Sequence, residues 1–301
     1  MAKLIKGLMV IFLGVVMILA AACANPFAPP DNTGSPEDPS HPENPAPPED
    51  PDQPENPDLP ENPDLPENPD PSEDELTFKP HESVAGVPDR LTTDNEKIVD
   101  FSQTLPSEFY WADGYSNGGM FNCTWRKSSA VVRNGIMNMS VSEEGKGYAG
   151  AEYRSRQNYS YGFYSVCMKA ANCSGVISSF FTYTNQPVWD EIDIEFLGKD
   201  MTRVQFNYYT NGVGGHEFYF DLGFDASEDF HEYAFDWQRD SITWYIDGKA
   251  VYRATKNLPS HAMQIMANVW NCVGIDDWSG AFDVSALPAT AQYRWIAYSP
   301  N

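Results

Sequence analysis

Basic side chains are scarce in this sequence: 19 Lys and Arg stand against 43 Asp and Glu, a formal net charge of −24 over 301 residues. That balance excludes nucleic acid as the partner, because phosphate contacts need Lys and Arg. Helical periodicity is missing as well, with no stretch of twelve residues repeating apolar positions at the helical period, which argues against a helical domain. Long apolar runs are limited to Gly7–Ala22, too short for a comfortable membrane span. Cysteine is sparse, with five in all, so no dense disulfide framework holds the chain together.

What is present divides the chain in three. Lys3 and Lys6 precede the apolar run, and small residues close it at Ala20-Ala21-Ala22-Cys23. This is the layout of a secretion signal over residues 1–22. The closing residues resemble a bacterial lipobox, which implies lipidation of Cys23, an exported protein body and attachment to the membrane of the cell envelope. From Ala24 to Glu75, 17 of 52 residues are Pro, 16 are Asp or Glu, and none is Lys or Arg. Pro lacks a backbone donor and like charges repel, so residues 23–80 read as an extended spacer with no core. Pro54-Glu55-Asn56-Pro57-Asp58-Leu59 recurs as Pro60 to Leu65 and, with a final Pro, as Pro66 to Pro71. As polyproline II, 52 residues at ~3.1 Å each would reach on the order of 160 Å. Residues 76–301 then hold 17 basic and 27 acidic residues, an acidic but moderate balance suited to a neutral polymer.

Residues 81–301 read as one all-β domain. Ile136–Val141, Val204–Thr210, His231–Trp237 and Ser241–Ile246 are rich in β-branched and aromatic residues, with turn formers between them. Asp247-Gly248 is a two-residue hairpin signal between Ile246 and Ala250. Many short strands at this spacing imply a sandwich. Aromatics are 14% of the chain. Most suit a core, as on the face shared by His231, Tyr233, Phe235 and Trp237. Trp189, Trp270 and Trp278 instead sit beside acids and amides, as in sites where a ring stacks on a sugar and polar groups take its hydroxyls.

The densest chemistry lies in Trp189-Asp190-Glu191-Ile192-Asp193-Ile194-Glu195-Phe196. In a strand, Glu191, Asp193 and Glu195 share one face, with Ile192 and Ile194 on the other. Three like charges in a row are costly, and no Lys or Arg lies nearby in sequence. A solvated edge is one reading, but such faces usually mix signs. A calcium site is another, although a stiff, Ile-rich strand cannot wrap an ion. Acid/base and nucleophilic work on a glycosidic bond is the third, and it needs two carboxylates of different protonation state facing one substrate. A third acid between them helps to hold their pKa values apart.

This run, with Val204–Gly212 after it, resembles the bacterial lichenases, the endo-1,3-1,4-β-glucanases of glycoside hydrolase family 16. The likeness includes Ala112–Gly118, Met120–Trp125, Asp221–Asp225, Tyr233–Trp237 and Asp276-Asp277-Trp278, and spans roughly residues 98–301. It implies a concanavalin A-like jelly roll of two curved antiparallel sheets with a cleft on the concave face. It implies a monomeric enzyme without cofactor that cuts 1,4-β bonds in mixed-linkage β-glucans such as lichenan and cereal β-glucan. Glu191 would be the nucleophile, Glu195 the acid and then the base, and Asp193 the residue that tunes both, its charge helping to keep Glu195 protonated. Sugar contacts are implied at Asn117, Phe121, Glu152, Arg154, Tyr183, Trp189, Asn207, Tyr209, Asn268, Trp270 and Trp278. The unbroken Glu-x-Asp-x-Glu spacing favours the mixed-linkage enzyme over related 1,3-β-glucanases, which usually carry one extra residue. Another family 16 hydrolase or transglycosylase, acting on 1,3-β-glucan, xyloglucan or a galactan, and a non-catalytic sugar-binding jelly roll are the alternatives.

Three features depart from that pattern or strain it. Cys123, Cys167, Cys173 and Cys272 leave three disulfide pairings open, but the family's bridge from the position of Cys123 ends near Gly150, where this chain has no Cys. Arg294 stands where the family usually has an Asp that helps hold a structural calcium, so no required metal is expected. Finally, Glu191 and Glu195 lie ~13 Å apart along an ideal strand, whereas retention needs carboxyls about 5 to 5.5 Å apart. Bending of the sheet and inward-leaning side chains would have to close that gap.

Overall fold

The computed structural model describes residues 83–301; the signal segment 1–22, Cys23 and the spacer 23–80 lie outside the described residues. In chain order the first strands are β1 (Lys97–Asp100), β2 (Phe109–Trp111), β3 (Thr124–Trp125), β4 (Ala130–Arg133), β5 (Ile136–Glu144), β6 (Gly147–Tyr159), β7 (Gly162–Lys169) and β8 (Val176–Thr184). After them come β9 (Asp190–Leu197), β10 (Arg203–Tyr209), β11 (Phe218–Asp221), β12 (His231–Trp237), β13 (Ile242–Ile246), β14 (Lys249–Ala254), β15 (Met263–Asn271) and β16 (Ala289–Pro300). A single turn of helix, α1 (Asp276–Ser279), follows β15.

One sheet runs β11-β10-β9-β8-β15-β6, with β2 on β6. The other runs β5-β16-β7-β12-β13-β14, with β1 on β16 and β4 on β5. The β5–β6 hairpin joins them, and apart from the short β3–β6 contact the pairing is antiparallel. The result is the curled all-β jelly roll that the strand pattern and the resemblance imply.

Period-two burial explains how the sheets stack. Ile192, Ile194 and Phe196 of β9 and Tyr233, Phe235 and Trp237 of β12 are all completely buried in one core. Phe196 meets Tyr233 edge-on at 4.8 Å, and Phe206 stacks on Trp244 at 5.5 Å. Each such ring contributes a few kcal/mol at about 25 cal/mol per Å². His231, grouped with these aromatics in the sequence, is only half-buried; it stacks on Phe224 at 3.7 Å and pairs with Asp247 at 2.7 Å. Its position at the start of β12 leaves it at the rim. The Asp247-Gly248 turn has φ of 47° and 80°, as a two-residue hairpin of this twist requires.

Residues 83–96, for which the sequence offers no reading, form a strap on the outside of the second sheet. Val84 N–H donates to Ala250 O at 2.8 Å and Arg90 N–H to Gly248 O at 2.7 Å. The Arg90 guanidinium lies 3.9 Å over the Phe163 ring, and Thr92 N–H donates to Glu232 at 2.9 Å.

Cys123, Cys167, Cys173 and Cys272 are buried free thiols, so none of the open disulfide pairings forms. A Cβ built at Gly150 would stand 2.7 Å from Cys123 Sγ, so this chain keeps the approach of the two segments and lacks the second sulfur. The Arg294 guanidinium packs 4.0 Å over Phe230, a charge unsuited to a cation site. Among the described residues no cluster of three His, Cys, Asp or Glu is placed to hold a metal.

Candidate active site

β9 lies between β8 and β10 and turns Glu191, Asp193 and Glu195 away from the core. Register decides their neighbours. Tyr183 and Tyr209 flank Glu191, Phe181 and Asn207 flank Asp193, and Ser179 and Gln205 flank Glu195. The last row continues through Asn268 and Glu152 on one side and Tyr219 on the other. Crossing six strands, it forms the floor of an open cleft.

Hydrogen bonds lock that floor. Arg154 Nε–H donates to Glu152 at 2.6 Å, Asn268 Nδ2–H donates to Glu152 at 3.2 Å, and the Ser179 hydroxyl donates to Asn268. At the other end Gln205 Nε2–H donates to Glu195 Oε2 at 2.7 Å, while Gln205 Oε1 accepts from Trp278 Nε1–H at 2.9 Å. Glu191 Oε2 accepts from Trp189 Nε1–H at 2.6 Å, and Trp189 itself stacks on Tyr209 at 4.3 Å.

These surroundings separate the two glutamates. Burial pushes Glu191 up to about 7, held back by the Trp189 indole N–H and by a hydrogen bond from Asp193. Glu195 is raised to about 8 by burial and then by the charge of Glu191, with Gln205 opposing and Glu217 adding to the rise. Asp193 is raised well above the usual carboxylate range by burial, by both flanking glutamates and by its bond to Glu191. Its side chain is hydrogen-bonded to that of Glu191. The charges acting on Glu195 are those of Glu191 and Glu217.

Four residues from far along the chain hold the acidic strand in place. Asp190, completely buried, accepts from Asn211 N–H at 2.8 Å, Ser260 N–H at 2.8 Å and His261 N–H at 3.0 Å, with His261 Nδ1 also at 2.8 Å. It thus ties the loops after β10 and β14 to the start of β9. Across the core, Trp244 Nε1–H donates to the Asp193 carbonyl at 3.1 Å. Gln205 and Asp190 were not among the residues the sequence singled out. Gln205 lies two residues before Asn207 on the same face of β10, a signal that was there to be used; nothing local marks Asp190.

The eleven implied sugar contacts occupy two kinds of position. Tyr183, Trp189, Tyr209, Arg154, Phe121, Asn117 and Trp278 keep partial exposure on the cleft. Glu152, Asn207, Asn268 and Trp270 are 1–3% exposed and build its floor. Trp270 is covered by Phe121, stacked at 4.0 Å, and Asn117 accepts from Trp125 Nε1–H at 3.0 Å. A second groove, of about 460 Å³, lies on the outer side of β4, β5 and β16. Its acids are the exposed Glu143 and Glu144, the latter paired with Arg126 at 2.8 Å, so it offers no buried carboxyl pair.

Comparison with known proteins agrees with this geometry. The family model for glycosyl hydrolases family 16 matches residues 117–296. A β-glucanase of Paenibacillus macerans is 54% identical over 195 residues, which is 63% of this chain and 82% of that protein. Among solved structures, a prokaryotic β-1,3-1,4-glucanase (lichenase) derived from a mouse hindgut metagenome is 50% identical with a TM-score of 0.65, covering 67% of this chain and 97% of the other. The β-glucanase of Bacillus licheniformis is 46% identical with a TM-score of 0.66, covering 69% of this chain and all of its own.

Proposed function

The chain belongs to family 16 of the glycosyl hydrolases, and from that premise we propose that its cleft performs endo-acting, retaining hydrolysis of 1,4-β-glucosidic bonds in mixed-linkage 1,3-1,4-β-glucans. The observation that supports this best is the row of carboxyls that β9 turns to one face, with a different donor on each glutamate. Glu191 accepts from the Trp189 indole N–H, a contact that favours its ionised form, whereas Glu195 is raised by burial and by the neighbouring charge of Glu191.

Each residue then has a task. The Glu191 carboxylate attacks the anomeric carbon as the glycosidic C–O bond breaks, and Glu195 gives its proton to the departing oxygen. A glycosyl-enzyme forms through Glu191. Glu195, now ionised, takes a proton from water, which attacks the same carbon and returns Glu191 as carboxylate with configuration retained. Asp193 spreads the changing charge of Glu191 through its hydrogen bond. The half-exposed rings of Trp189, Tyr209 and Tyr183 beside Glu191 suit sugar faces, and Arg154 suits hydroxyls farther along the cleft.

The direct test is product analysis with lichenan, barley β-glucan, laminarin and carboxymethylcellulose. Lichenan and barley β-glucan should be cut at 1,4 bonds that follow a 1,3-linked glucose, and the two single-linkage polymers should be left intact. Comparable release of sugar from laminarin would contradict the assignment of substrate.

Location is part of the same proposal. Lys3, Lys6, the apolar run and Ala20–Cys23 support an exported protein held at the membrane through lipid on Cys23. Cys23→Ser should move the protein from the membrane fraction to the soluble exported fraction. Equal partitioning of both forms would remove the anchor from the account.

A further inference from the structure

The loop from β10 to β11 folds back beneath the acidic strand. Gly212 N–H donates to Trp189 O at 2.7 Å, Asn211 N–H reaches Asp190, and Thr210 and Val213 pair across the turn. This brings Gly214 against the ring of Tyr209. A Cβ at Gly214 would stand 2.4 Å from Tyr209 Cε1 and 2.9 Å from Cδ1, far inside van der Waals contact. Gly212 and Gly215 have φ of 76° and 88°, so their backbones favour glycine by themselves. Gly214 is outside that left-handed region, so φ gives no reason for glycine there. The three atoms nearest to such a Cβ all belong to the Tyr209 ring.

That ring is not free to yield. It is stacked on Trp189 at 4.3 Å with planes 16° apart, and the Trp189 indole N–H is the 2.6 Å donor to Glu191. A push on Tyr209 therefore passes through one stack and one hydrogen bond to the carboxyl. We propose that Gly214 is a positioning residue for the nucleophile: its missing side chain lets Tyr209 and Trp189 stack where the indole N–H is aimed at Glu191. The proposal rests on the reading of Glu191 as nucleophile.

Gly214→Ala tests it by two independent readouts. The first needs no turnover: the Trp189 indole N–H resonance, assigned with Trp189→Phe, should shift in Gly214→Ala and stay put in a Val213→Ala control, whose side chain is 63% exposed. The second is kinetic. Misplacement of a reacting group on the ångström scale costs up to about 100-fold, so kcat should fall roughly ten- to a hundredfold with a smaller change in KM. The acidic limb of the pH profile should also move to higher pH, because losing the indole donor raises Glu191. The groups facing Glu191 are Asp193 and Glu195 on its own strand, Tyr183 from β8 and Tyr209 from β10, with Glu217 acting on Asp193, Glu195 and Tyr209 from beside β11. Gly214→Ala removes none of these groups, and Tyr209 is the one the added methyl meets directly.

A double-mutant cycle covers the case in which the single variant folds poorly. If the added methyl acts through the ring, Gly214→Ala on a Tyr209→Ala background should cost little more than Tyr209→Ala alone. Full additivity, an unmoved resonance, or a wild-type kcat with a wild-type acidic limb would each overturn the proposal. Failure of the nucleophile assignment shows differently: Glu191→Ala would still hydrolyse glucan while the resonance shift in Gly214→Ala persisted.

Discussion

Glu191→Ala is expected to abolish hydrolysis of barley β-glucan, with a loss on the order of 10⁴-fold or more, since the covalent route disappears with its nucleophile. The residue is partly exposed on the cleft face, so truncation leaves space open to solvent and adds no cavity to the core. A small anion such as azide can enter that space and attack the anomeric carbon from the nucleophile's side, while Glu195 still protonates the departing oxygen. One displacement then occurs where the native reaction has two, and the glycosyl azide has inverted configuration. An azide product of retained configuration from this variant would mean that the roles of the two glutamates are reversed.

Glu195→Ala is expected to lose the proton donor and to slow hydrolysis of polysaccharide by roughly 10²- to 10⁴-fold. A glycoside with a good leaving group needs no proton, so it should still form the glycosyl-enzyme on Glu191, and azide should release it with retained configuration. The same residue makes a separable prediction about stability. Its folded pKa of about 8 lies above the ordinary 4.5, so between those values the folded chain holds a proton that the unfolded chain has lost. Stability from this group is therefore present below about 4.5 and declines as pH rises towards 8. Glu195→Gln never ionises and avoids that decline. It should melt a few degrees above the wild type at pH 8, about 1–2 kcal/mol after allowance for the solvent in the cleft, with the gap closing towards pH 5. A gap that widened as pH fell would contradict the burial argument.

Much of this site is legible in the sequence because β9 repeats every two residues. The alternation of Glu191, Ile192, Asp193, Ile194 and Glu195 places acids on one face and core residues on the other before any partner strand is known. The Asp247-Gly248 turn and the aromatic face of β12 are local in the same sense. The rest depends on which strands become neighbours. β15 inserts between β8 and β6, and only that topology puts Asn268 and Glu152 in the row of Glu195. The ligands of Asp190 come from 21 and about 70 residues away, and Trp244 reaches Asp193 from 51 residues away. The upward shift of Asp193 is likewise a property of the assembled row, since its two largest charge partners and its burial arise together. The likeness to lichenases supplied an assignment of roles that the residues alone could only narrow.

The measurement that bears most directly on the central claim, a double displacement through Glu191 with Glu195 as acid and base, is the anomeric configuration of the first reducing ends released from barley β-glucan, followed by proton NMR before mutarotation. The account predicts that the β-anomer appears first and the α-anomer grows in only as the sugar equilibrates. Initial release of the α-anomer would place a water where the account has Glu191, and would contradict it.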